Sequence, residues 1–221
     1  PGILAWSGPG GLAAALTGLR CEQVPVADAQ ILFDVDDDAA FAEAEARLAR
    51  CDIPTREEAL ALLDLHNAGE RGHAHGRGVA DVALALARAL IARGLELDLE
   101  LIESAALLHD IAKGQPQHEK AGGQLLADLG FAPVAAIVAA HRDIDPTGLA
   151  RPSERELVYL ADKLVRGSER IPVLRRFQEK LDHYAQDVDA CLAIRKRKEH
   201  ALAMQQLVET CAGRSVQKIL S

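Results

Sequence analysis

An imidazole and a carboxylate stand side by side at His109-Asp110, with an amine four residues on at Lys113 and another imidazole at His118. They close the stretch LIESAALLHDIAKGQPQH, whose apolar residues Leu101, Ile102, Ala105, Ala106 and Leu108 are spaced for a helix. On a helix carried through Lys113, His109 and Lys113 share a face and Asp110 is turned about 100° away. An apolar helix that brings these groups to its last turn reads as part of a metal site. The dipeptide alone is weak, because with 8 His and 17 Asp in 221 residues chance readily supplies one.

Other candidates stand in similar settings. His75 lies in RGHAHGRGVA, His141 closes FAPVAAIVAAH, and Asp162 sits inside the apolar LVYLADKLV. Each has a bland alternative. His75 and His118 could be surface or capping residues, His141 could answer a helix dipole, and Asp162 could pair with Arg166 one turn on. His66, His73, His183 and His200 lack such a context and read as solvent-facing. As a set, the candidates recur at helix ends or on apolar faces, where a charge needs a partner and a metal ion commonly supplies it. Mixed His and Asp donors without thiolate suit Fe, Mn, Ni, Zn, Mg or Co, and argue against a closed structural zinc site.

The elements that position these residues are mostly helices. Aromatics make up 3% of the chain and Ala and Leu dominate its 49% apolar content, which favours packed helices over an aromatic-rich sandwich. Thr55 with Glu58 makes a capping box for a helix to about His66. A long helix follows from about His73 to Arg93, closed by Gly94. Asp98 caps a helix over Leu99–Lys113, and further helices fit Gln117–Leu129, Pro133–His141 and Ser153–Arg166. The segment from Val173 to about Ala212 carries one broken helix or two consecutive ones. Residues 1–52 differ. They open with a Gly/Pro cluster, a short helical stretch at 12–19 and strand-like runs at Gln23–Val26 and Gln30–Phe33. An acidic turn then caps a helix from Ala39 to about Ala49. The expected architecture is mainly α, a helical bundle over residues 53–221 with a small α/β appendage at 1–52.

The order H…HD…H…H…D, with HDIAK in the second element and LADKL in the last, resembles the HD-domain superfamily of metal-dependent phosphohydrolases over roughly residues 55–215. The resemblance implies that His75, His109, Asp110 and Asp162 hold one divalent metal. It further implies that His118 and His141 serve a second, with Asp110 bridging and orienting the attacking hydroxide. Lys113 would neutralise charge on the phosphoryl oxygens. Arg71 and Arg142 stand near the ligands in sequence, within reach of substrate phosphates, with a solvated side chain as the bland alternative for each. The His141-Arg142-Asp-Ile-Asp-Pro-Thr-Gly148 segment departs from the paired histidine and G-Y-P loop of the cyclic-dinucleotide branch. The spacing is similar to that of small bacterial HD hydrolases acting on dinucleoside polyphosphates and related nucleotides. Separately, ILFDVDDDAAFAEAEARL, with PGIL upstream, resembles the C-terminal part of molybdenum-cofactor-type nucleotidyltransferases. The Gly-, Arg- and Lys-bearing nucleotide loop of that family has no counterpart here, so residues 1–52 read as a tail incapable of that chemistry.

The expectation is therefore hydrolysis of a phosphoester or phosphoanhydride in a phosphorylated small molecule, a nucleotide or dinucleotide, with one or two divalent ions as cofactor. The alternative is a metal- or nucleotide-binding regulatory module of a fused or cognate nucleotidyltransferase. A net charge of −8 argues against general nucleic-acid binding. Four scattered cysteines, no membrane-length apolar run and no visible signal peptide point to a cytoplasmic protein without a membrane partner.

Overall fold

The computed structural model describes residues 9, 14, 16, 17, 19, 20, 22 and 24–221. The PGIL segment, most of the Gly/Pro cluster and of the helix expected at 12–19, Gln23 and Cys21 lie outside the described residues. Among those described are ten α-helices and one two-stranded sheet, the mainly α architecture that composition and periodicity favour. No helix among them is long and apolar enough to cross a membrane.

Among the described residues, the strands expected near the start do not form. Residues 24–28 are in no strand, and Ala29–Leu32 is a single 3-10 turn. Asp28 accepts a hydrogen bond from the Gln30 amide at 2.8 Å, a local bond that competes with a ladder. Ile31 and Leu32 are exposed, so no apolar face holds a sheet together there. Helix α1 (Asp38–Leu48) is capped by Asp37 and buries none of its residues. This end of the chain attaches through polar contacts, with Arg50 reaching Asp98 at 2.8 Å and Glu100 at 2.9 Å.

Helix α2 (Arg56–Leu65) carries the expected Thr55–Glu58 capping box. Helix α3 (Gly69–Ile91) starts four residues earlier than expected, because the left-handed turn at Asn67 (φ 57°) reverses the chain sooner. Its residues Val79, Ala83, Leu86 and Leu90 are fully buried, and it is the centre of the core. Each such Leu or Val contributes about 1.5–3 kcal/mol of burial. Helices α4 (Leu99–Leu108), α7 (Glu154–Lys163) and α10 (Val216–Leu220) pack on it. Helices α5 (His118–Asp128) and α6 (Ala132–Ala140) form a second packed pair beside α4. The tail is two helices, α8 (Val173–His183) and α9 (Val188–Ala212).

Three boundaries bear on the site. Helix α4 ends at Leu108, not at Lys113. Amides then bond carbonyls three residues back, Ile111 to Leu108 and Lys113 to Asp110, tightening the chain to a 3-10-like course. Helix α7 ends at Lys163 instead of Arg166. An unanticipated hairpin, β1 (Val165–Arg166) with β2 (Glu169–Arg170), turns at Gly167 (φ 61°). Finally, two glycines let helix pairs touch. A Cβ on Gly76 of α3 would lie 2.7 Å from the Leu107 carbonyl oxygen on α4, and one on Gly123 of α5 would lie 2.8 Å from Ala139 Cβ on α6.

Candidate metal centre

Three histidines are oriented by backbone carbonyls. His75, in the second turn of α3, holds Nδ1 2.9 Å from the Gly167 oxygen in the hairpin turn. His109, just past α4, holds Nδ1 2.8 Å from the Ala106 oxygen, and His141, just past α6, holds Nδ1 2.7 Å from that of Val138. A helix end leaves carbonyls without an onward amide partner, so an imidazole there can be fixed by its own helix. A carbonyl oxygen only accepts, so Nδ1 carries a proton in each ring, and Nε2 is the atom turned toward the neighbouring carboxylates.

Those Nε2 atoms surround Asp110. Its Oδ2 lies 3.5 Å from His109 Nε2 and 3.8 Å from His75 Nε2. Its Oδ1 lies 3.3 Å from His118 Nε2 and 3.8 Å from His141 Nε2. Two groups result, His75–His109–Asp110 and Asp110–His118–His141, each able to hold a metal ion and sharing one carboxylate. Asp162 Oδ1 completes the first side, 3.3 Å from His75 Nε2 and 3.8 Å from His109 Nε2. Donors bound at 2.0–2.2 Å to one ion sit about 3.0–3.6 Å apart, close to these spacings.

Two of the histidines and both carboxylates are in the protonation states that ligation needs. Burial, and then the neighbouring imidazoles, hold His109 below its ordinary pKa and bring His141 down to about 4, so both are neutral at pH 7. For Asp110, burial alone would raise the pKa. The His109 interaction and the Lys113 hydrogen bond outweigh it and bring the carboxyl to about 2. Burial likewise works against the Asp162 carboxylate, but Lys163, His75 and Arg176 hold it well below the usual range. His109 Nε2 is buried with no hydrogen-bond partner. A divalent ion would give that lone pair a partner, and a nitrogen and oxygen donor set without thiolate fits Fe, Mn, Ni, Zn, Mg or Co.

Not every expected contact is made as expected. The tightened turn puts Lys113 on the Asp110 side, with Nζ 2.5 Å from Oδ2, instead of on the His109 face. Arg142 pairs with Glu119 at 3.3 Å, and Arg71 is exposed on α3. Asp162 pairs with Lys163 at 2.7 Å and Arg176 at 3.2 Å, while Arg166 pairs with Glu179. His66 and His183 are exposed, but His73 is half-buried against Asp64 and His200 against Asp143. Sequence reasoning missed Gly167, Lys163, Arg176 and also Glu119, which lies 3.5 Å from His118 Nδ1. Lys163 beside Asp162 in LADKL and Glu119 beside His118 were the legible signals among them; Gly167 and Arg176 act across folds of the chain.

The chain is 28% identical over 149 residues to an uncharacterized protein of Methanocaldococcus jannaschii, a stretch that covers 57% of this chain and 85% of that protein. No solved structure matches it significantly. Residues 72–167 match the HD domain family, a span that holds His75, His109, Asp110, His118, His141 and Asp162 together.

Proposed function

We propose that residues 53–221 form a metal-dependent phosphohydrolase acting on a phosphoester or phosphoanhydride bond of a nucleotide or dinucleotide. The observation that carries this is the pair of ligand groups meeting at Asp110, whose two oxygens face different histidine pairs. Divalent ions on such a set supply hydroxide at neutral pH and stabilise charge on phosphoryl oxygens. The chain's own side chains do the rest. Asp110 is kept ionised by Lys113 and its neighbours, and its oxygens hold the two groups in register. His109 and His141 are held neutral by burial, and backbone carbonyls fix the rings of His75, His109 and His141 with Nε2 turned toward the carboxylates, so little reorganisation is needed. Lys113 is largely exposed and stands as a point charge for a phosphoryl oxygen at the mouth. The likeness of residues 31–48 to nucleotidyltransferases supports a fused or cognate transferase as partner.

The test is turnover of a chromogenic phosphoester and a nucleotide panel by the Mn²⁺- or Fe²⁺-loaded protein. Hydrolysis is expected, and Asp110→Ala should abolish it while the far-UV circular dichroism stays native. No turnover of any substrate at full metal occupancy would overturn the proposal and leave a binding module.

A further inference from the structure

Three of the four candidate ligand histidines take their orientation from backbone carbonyls, and His118 is built differently. His109 and His141 stand just past the ends of α4 and α6, where carbonyls lack onward amides, and His75 meets the Gly167 carbonyl. His118 is instead the first residue of α5. The groups left over at a helix start are amides, which only donate and cannot receive the proton of an Nδ1–H. An acceptor for that nitrogen has to come from a side chain.

The next residue supplies one. Glu119 Oε2 lies 3.5 Å from His118 Nδ1, while Nε2, across the ring, lies 3.3 Å from Asp110 Oδ1. Asp110 already serves Lys113 and three other imidazoles. Glu119 Oε2 is buried with no hydrogen-bond partner, so its capacity to accept is unused. The other oxygen, Oε1, takes Arg142 at 3.3 Å. Arg142 directly follows His141 just as Glu119 follows His118, so each of two neighbouring dipeptides gives the centre a ligand and a support. A bland account exists for parts of this. A carboxylate in the first turn of a helix is favoured by the dipole, and its ion pair with a half-exposed arginine is worth little. Neither explains a buried, unpartnered oxygen turned toward an imidazole instead of toward solvent.

We propose that Glu119 is a positioning residue for His118. Its Oε2 takes the hydrogen bond of His118 Nδ1, Arg142 grips its Oε1, and His118 Nε2 is thereby committed to the group it forms with Asp110 and His141. A carboxylate behind an imidazole makes it a stronger donor than a carbonyl does. The His118 side of the centre therefore depends on the charge of Glu119, and the His75–His109 side does not. The assignment rests on the metal-binding part of the reading above and needs no turnover.

Calorimetric titration of the full chain with Zn²⁺ tests it, the His118-side event being the one absent in His118→Ala. Glu119→Gln keeps the size and an acceptor oxygen but loses the charge. It should weaken that event about tenfold to a hundredfold and leave the other event unchanged. In the His118→Ala background the same substitution should change nothing more, because Glu119 acts through His118. Arg142→Gln, which frees the carboxylate without altering it, should weaken the same event by a smaller factor. In zinc-loaded protein with ¹⁵N-labelled histidine, the His118 Nδ1 proton should move upfield in Glu119→Gln, a change that a merely structural carboxylate would not produce. Unchanged zinc affinity in Glu119→Gln, or an equal loss at both events, would overturn the proposal. So would a titration in which His118→Ala loses no event. If these shifts appear and nothing is hydrolysed, the hydrolase reading fails while the positioning role stands.

Discussion

At the scale of single residues, Asp110 is the position on which both ligand groups depend. His118 and His141 touch one of its oxygens and His75 and His109 the other. Removing His118 should therefore empty one group and spare the other, whereas removing Asp110 should disable both. Elemental analysis after metal loading is expected to give about half the wild-type metal content for His118→Ala and close to none for Asp110→Ala. A full load in Asp110→Ala would show that the carboxylate is not shared. Asp110 was legible from sequence because it adjoins a histidine at the end of an apolar run. The orientation of His75 was not, since its Nδ1 partner is the Gly167 carbonyl, 92 residues away in a hairpin of two-residue strands. No local pattern carries such a contact.

At the scale of elements, helix-to-helix distance sets ligand spacing. Gly76 is one residue from His75 and presses α3 against Leu107, two residues before His109. Gly76→Ala would drive a methyl into a backbone oxygen that cannot step aside. It should lower stability by about 1–3 kcal/mol and weaken metal binding at the His75–His109 side, read by calorimetric melting and metal titration. A melting curve and metal affinity equal to wild type would show that the crossing is looser than drawn here. The start of α7, which carries Asp162, is held by Glu156, 2% exposed and accepting from the Ser153 amide at 2.9 Å. Burial opposes its ionisation, but the Ser153 and Arg155 bonds hold its pKa below the ordinary value. The unfolded chain therefore binds a proton that the folded one does not. The resulting stability is full above about pH 4.5 and is lost as pH falls through the folded pKa. Glu156→Gln should flatten the acid limb of a stability-against-pH curve, and an unchanged limb would contradict this. Helix periods and caps were readable from sequence, as at Thr55 and Asp98. The end of α4 was not. Ala112 and Lys113 favour helix, yet buried Ile111 and Ala112 are drawn into the core by contacts that no local propensity records.

At the scale of the molecule, the candidate ligands span only residues 75–162. Residues 29–52 attach by ion pairs at Arg50 and a bond from the Ala29 amide to Glu58, with no buried residue in α1. Exposed pairs of this kind are worth about 1 kcal/mol or less and fade with salt. Arg50→Ala should shift the melting temperature slightly at low ionic strength and not at 1 M salt, with metal content unaltered; a large, salt-independent loss would mean that this segment is integral to the core. The bundle also separates its ligand pairs. His75 and His109 ride on α3 and α4, which meet at Gly76, and His118 and His141 ride on α5 and α6, which meet at Gly123. Asp110 alone belongs to both. A carboxylate pinned on one side already points its other oxygen at the opposite pair, so filling one half preorganises the other. If both halves take an ion, they are coupled through Asp110, and the effect of each on the other is equal in free energy.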